Sequence, residues 1–177
     1  MKIAIATLVL VTSLAACAPV AAADPLAPAR AGQLQCYTPD PARKTCRALA
    51  GYTFEAGAGG ETILNQADVL MAADPVTVVR TVSPVFVRGD AVCGRGLPLA
   101  DAVFLIEGRP AEAAMADRLR QVFMARRAAM IGREICTRYL PLQDQLVPAV
   151  SVDGVEREPG NDRIIWVGPK DGWTVAR

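Results

Sequence analysis

The stretch PAEAAMADRLRQVFMARRAAMIGREICTRYLP, residues 110–141, decides how the chain is read, because no other segment carries helical periodicity over such a length. Pro110 can open a helix, since its missing N–H would be unpaired in the first turn anyway, and Pro141 closes the pattern. Met115, Leu119, Val122 and Phe123 share one helical face, whereas Met124, Ala128, Ile131, Ile135 and Tyr139 share nearly the opposite one. The change of face falls at Arg126-Arg127, shortly before Gly132. The expectation is one long helix over 110–139, either covered on different sides along its length or bent near Gly132. It holds six arginines and three acids, and Arg126 with Arg127 forms its most basic point. These two are the candidate contact for an anionic partner.

On both sides of this segment the signals are of strand type. Residues 48–55 contain Tyr52 and Phe54 and precede a turn at Gly57, Gly59 and Gly60; residues 62–71 fit a strand face slightly better than a helix. Residues 76–87 are rich in β-branched side chains, with Pro75 and Pro84 pointing to an edge or a bulge. Residues 91–93 and 102–106 add short apolar runs. After the helix, 147–155 ends in an Asp153-Gly154 turn signal. Residues 163–167 and 173–175 then read as a hairpin carrying both Trp166 and Trp173. The fold expected is α+β: an antiparallel sheet from both halves of the chain, the long helix packed on one face, and two disulfides.

The first residues have the pattern of an export signal. Met1-Lys2 precedes an apolar run over 3–14 that is too short to span a bilayer as a permanent helix. Leu14-Ala15-Ala16-Cys17 resembles the lipobox of bacterial lipoproteins, which would make 1–17 the signal and Cys17 the site of lipid attachment. An ordinary A-x-A cleavage after Ala23 is the competing reading, giving a signal of 1–23. Residues 18–35 are rich in Ala and Pro and read as a tether, leaving 36–177 as a single globular domain.

Both readings of Cys17 leave four cysteines, Cys36, Cys46, Cys93 and Cys136. An even number in an exported chain points to disulfides. The turn-forming Pro39-Asp40-Pro41 brings Cys36 and Cys46 together, which leaves Cys93 to pair with Cys136. Chain entropy alone would make the short loop worth about 2.7 kcal/mol and the long one about 4 kcal/mol. No C-x-x-C spacing favours zinc or redox chemistry, and neither metal nor cofactor is expected.

Composition excludes several classes of function. Histidine is absent, so no Ser/His/Asp triad or His-ligated metal site can form. Lys plus Arg is 19 against 18 for Asp plus Glu, a balance without the basic excess that nucleic acid requires. Ser83 and Ser151 stand outside any nucleophile motif. The pairs Asp101 with Glu107 and Asp153 with Glu156 are the nameable candidates for glycosidase-type acid/base work. The expected function is therefore a non-enzymatic cell-envelope module that binds an envelope protein or glycan. It would be lipid-anchored at the periplasmic side of the outer membrane, or free in the periplasm. The alternative is a carboxylate-dependent periplasmic glycan hydrolase. If Cys17 carries the anchor, Cys17→Ala abolishes incorporation of labelled palmitate; a wild-type chain beginning at Asp24 would contradict the anchor.

Overall fold

Alternation with a period of two, rather than helical periodicity, governs most of the folded chain. The structure, a computed structural model, describes residues 23–98 and 100–176. The expected signal and Cys17 lie outside the described residues. Strand accounts for 52% and helix for 14%, and the strands close into an eight-stranded antiparallel barrel. This overturns the α+β expectation of an open sheet with a long helix on its face.

The strands are β1 (Leu34–Tyr37), β2 (Thr45–Cys46), β3 (Ala48–Gly57), β4 (Gly60–Ala73), β5 (Val76–Arg88), β6 (Ala91–Arg95), β7 (Val103–Ile106) and β8 (Arg109–Pro110). After the helical segment come β9 (Glu134–Leu142), β10 (Gln145–Val152), β11 (Val155–Glu156), β12 (Ile164–Val167) and β13 (Thr174–Val175). The barrel runs β4-β3-β1-β12-β10-β9-β6-β5 and closes by pairing of β5 with β4. The hairpin signals at Gly57–Gly60 and Asp153-Gly154 are realised. Gly57 pairs with Gly60, and Asp153 and Gly154 both take positive φ at the β10–β11 turn. Residues 62–71 belong to β4, the longest strand. Pro84 lies where β5 pairs with β4 alone, a local edge. It falls between the part of β5 that pairs with β7 (Thr77 to Arg80) and the part that pairs with β6 (Val85 to Arg88).

The expected long helix survives only in its first half. α2 (Ala113–Arg127) continues as a 3-10 turn over Ala128–Met130, and Gly132 then takes a φ of 80°, the left-handed conformation that ends helices. Of the residues expected on the second helical face, Ile135 and Tyr139 instead enter β9, which supplies the strand between β10 and β6 that closure requires. Ile135, Thr137 and Tyr139 alternate with Cys136 and Arg138, and the first three line the barrel interior.

The same pairing sets Cys93 directly opposite Cys136 across β6 and β9, where they form one disulfide; Cys36 and Cys46 form the other. Both are the pairs expected from the spacing of the cysteines. They accord with an oxidising, exported compartment. The outer face of the barrel carries the ion pairs Arg80–Asp68, Arg88–Glu134 and Arg138–Glu156. Among the described residues no helix is long and apolar enough to cross a membrane.

Helical segments cover opposite ends of the long β4–β5 hairpin. At one end α1 (Ala27–Arg30) sets Leu26 and Ala29 into a core with Ile63 and Val92, against which Phe54, Val87 and Trp166 pack. Asp24 accepts from the Leu26 amide and pairs with Arg30, whose guanidinium grips Glu61 through two bonds and lies 4.1 Å over the Phe54 ring. Residues 24–35 are thus part of the fold, not tether: Leu26 is 0% exposed, and its burial outweighs the Ala/Pro composition around it. At the other end Ala116, Leu119 and Phe123 of α2 pack on Val79, Ala102 and Phe104.

The expected C-terminal hairpin is not formed. β12 pairs with β1 and β10, whereas β13 lies parallel to β2, with Thr174 opposite Thr45 and Val175 opposite Cys46. Trp166 packs within the barrel and Trp173 against the Cys36–Cys46 cluster, so the two indoles serve separate cores. Because Leu26 is fully buried, Leu26→Ala should destabilise the fold by about 2–5 kcal/mol in denaturant titration. A loss below about 0.5 kcal/mol would show that α1 closes nothing.

Candidate binding site in the barrel interior

Barrel closure turns one row of polar side chains inward. Gln35 on β1 is 0% exposed and lies opposite Trp166 on β12 and Ala50 on β3. The Tyr52 hydroxyl donates to Gln35 Oε1 at 2.8 Å, and those of Tyr37 and Tyr139 reach the same oxygen at 3.2 and 3.4 Å. The Tyr37 and Tyr139 hydroxyls are 3.2 Å apart. These are all three tyrosines of the chain, drawn from β1, β3 and β9. A carbonyl oxygen offers two lone pairs, so two of the hydroxyl protons go to it and the third to the Tyr37–Tyr139 contact. Gln35 Nε2 is buried and has no hydrogen-bond partner among the described residues.

Beside this cluster is a cavity of about 220 Å³. The tyrosines line it together with Asn65, Ser83, Val85, Val92 and Thr137, and Arg127 reaches it from the end of α2. Asn65 is held by a 3.2 Å bond from its Nδ2 to the Gly51 carbonyl. No residue of the lining is a carboxylate. No group of three or more potential metal ligands gathers among the described residues.

A close backbone contact fixes where α2 ends. The Gly96 amide donates to Arg133 O and the Gly132 amide to Gly96 O, tying the end of β6 to the turn after the helix. A Cβ on Gly96 would stand 1.8 Å from the Met130 carbonyl oxygen, so only glycine fits. The inward stripe of α2 consists of Ala116, Leu119, Arg120, Phe123, Met124 and Arg127. Met115 and Val122, expected on the apolar face, are exposed.

Arg126 and Arg127 do not form a joint surface point. Arg126 is exposed, whereas Arg127 is half-buried with its guanidinium 5.4 Å from the Phe123 ring centre. Its Nε is buried without a partner, and desolvation pulls its pKa down from the usual arginine value.

The carboxylates singled out in the sequence are engaged elsewhere. Glu107 accepts from the Val76 amide, Asp153 from the Glu134 amide and Arg133, and Glu156 from Arg138. The Glu134 amide and Arg133 hold Asp153 below the usual carboxylate range, the opposite of what a general acid needs. Asp101 borders a separate, mostly apolar cleft of about 550 Å³ on the outer wall, beside Arg80, Val82 and Val103.

Comparison with protein-family models, with curated proteins and with solved structures finds no match to this chain.

Burial, and then the neighbouring Tyr139, push the Tyr37 and Tyr52 hydroxyls well above the ordinary tyrosine value. Their folded-state pKa is raised, so the unfolded chain loses these protons first and stability falls once pH passes about 10. Absorbance titration at high pH should show these two phenols ionising only together with unfolding; ionisation near pH 10 in the intact fold would contradict their burial. Separately, Gly96→Ala should destabilise by more than about 1–3 kcal/mol in denaturant titration, because backbone must move to admit the methyl group.

Proposed function

We propose that this chain is a non-enzymatic binding module of the bacterial cell envelope that holds a small ligand inside its barrel. The observation that carries the reading is the convergence of three tyrosines on one buried glutamine beside a polar cavity. Eight-stranded barrels of this size either fill their interior with side chains or hold one small molecule there. Polar lining with an arginine unpartnered among the described residues is the composition of a binding pocket, where a few placed polar groups orient the ligand.

The two disulfides and the N-terminal sequence support an exported location. Lipidation of Cys17 would anchor the module at the periplasmic face of the outer membrane. An envelope protein or glycan could then receive or deliver the ligand.

Ser83→Leu tests the reading by filling the interior from β5. Native mass spectrometry of wild-type protein purified from the envelope should show a small bound mass, and the folded Ser83→Leu protein should lack it. A wild-type protein without any bound mass, or an adduct kept in full by Ser83→Leu, would overturn the proposal.

A further inference from the structure

The chemistry of the cavity narrows the class of ligand, an inference that rests on the reading of the interior as a ligand site. The tyrosine hydroxyls are matched among themselves: Gln35 Oε1 accepts two of their protons and the Tyr37–Tyr139 hydroxyl contact takes the third. Arg127, which lines the cavity, keeps a buried Nε without a partner among the described residues. Negative charge is missing on the same wall: no Asp or Glu lines the cavity, and no described carboxylate pairs with Arg127. A half-buried guanidinium without a counter-charge is unfavourable, and the loss is recovered when an anion arrives.

The rest of the lining sets the body of the ligand. Val85, Val92 and Ile135 supply apolar wall, and the tyrosine rings supply flat faces. A volume of about 220 Å³ suits a small molecule. We infer that the barrel interior binds a small monocarboxylate with a compact, flat apolar body, its carboxylate on Arg127. Arg127 is the specificity determinant, because it is the one full positive charge on the inward stripe of α2 that lines the cavity. Arg95, the other cation of the lining, is exposed at the end of β6.

The structure provides its own reporter. Trp166 packs in the same core as Tyr52, Tyr139 and Val85, whereas Trp173 sits in a different one. In the Trp173→Phe protein, Trp166 emission therefore reads the interior alone. Titration compares benzoate, benzamide and benzylammonium, which share one ring and differ in charge. Benzoate should give a saturable change, with benzamide about tenfold weaker and benzylammonium weaker still. Arg127→Met keeps the apolar stem, and its fold is checked by thermal melting. It should lose about tenfold in benzoate affinity and nothing in benzamide affinity. Equal binding of benzoate and benzamide, unaffected by Arg127→Met, would overturn the carboxylate inference and leave the interior as a site for neutral ligands. Preference for benzylammonium, or no response to benzoate, would overturn it too. The reading of the interior as a ligand site then stands or falls on the mass-spectrometric comparison with Ser83→Leu.

Discussion

Everything in this molecule depends on the seam where the first barrel strand meets the last. Leu34, Gln35, Cys36 and Tyr37 of β1 lie opposite Val167, Trp166, Ile165 and Ile164 of β12. The other barrel pairings along the chain, apart from β6–β9, join strands that are neighbours in sequence or nearly so. This one brings together segments more than a hundred residues apart, and loop closure makes such contacts slow to form though only modestly more expensive in entropy. The fold fastens the seam from outside. The Cys36–Cys46 bond ties β1 to β2, and β13 lies along β2 with Thr174 donating to the Lys44 carbonyl and Ala176 to that of Cys46. Val167 and Trp173 pack on the same disulfide.

Closure is also what makes the interior polar. In an open sheet Gln35 would face solvent and the tyrosines would be three unrelated residues on three strands. Once β12 covers β1, Gln35 loses water, and its carbonyl is satisfied by hydroxyls from β1, β3 and β9 at once. Leaving a buried amide donor unpaired disfavours the fold by about 1–3 kcal/mol, which makes the unpartnered Nε2 informative about what the interior is for. The long β4–β5 hairpin extends past the barrel wall, where α2 packs on Val79 and Phe104. Gly96 and Gly132 then set the end of that helix, and with it the place of Arg127.

Much of this was legible in the sequence, for identifiable reasons. The cysteine pairs followed from an even count and a turn-forming loop, and the hairpins at Gly57–Gly60 and Asp153-Gly154 from turn chemistry that depends on few residues. The second half of the 110–141 stretch misled because Ile131, Ile135 and Tyr139 fit a helical face, while Ile135, Thr137 and Tyr139 fit a strand face equally well. Tertiary pairing with β6 and β10 decided between them, a long-range choice that local periodicity does not contain. Leu26 was hidden by its alanine and proline neighbours. The interior site was illegible for a related reason. Gln35, Tyr37, Tyr52 and Tyr139 form no motif, and only strand parity together with barrel closure sets them on one surface. Arg127 was visible as a basic residue, but the direction it takes depends on where Gly132 ends the helix.

Amide hydrogen exchange at the seam tests the closed barrel most directly. If β1 and β12 close the structure as described, the amides hydrogen-bonded between them exchange only through global unfolding, with protection equal to that of the β4–β5 pairing. Fast exchange confined to β1 and β12, with β4 and β5 still protected, would contradict closure and with it the polar interior.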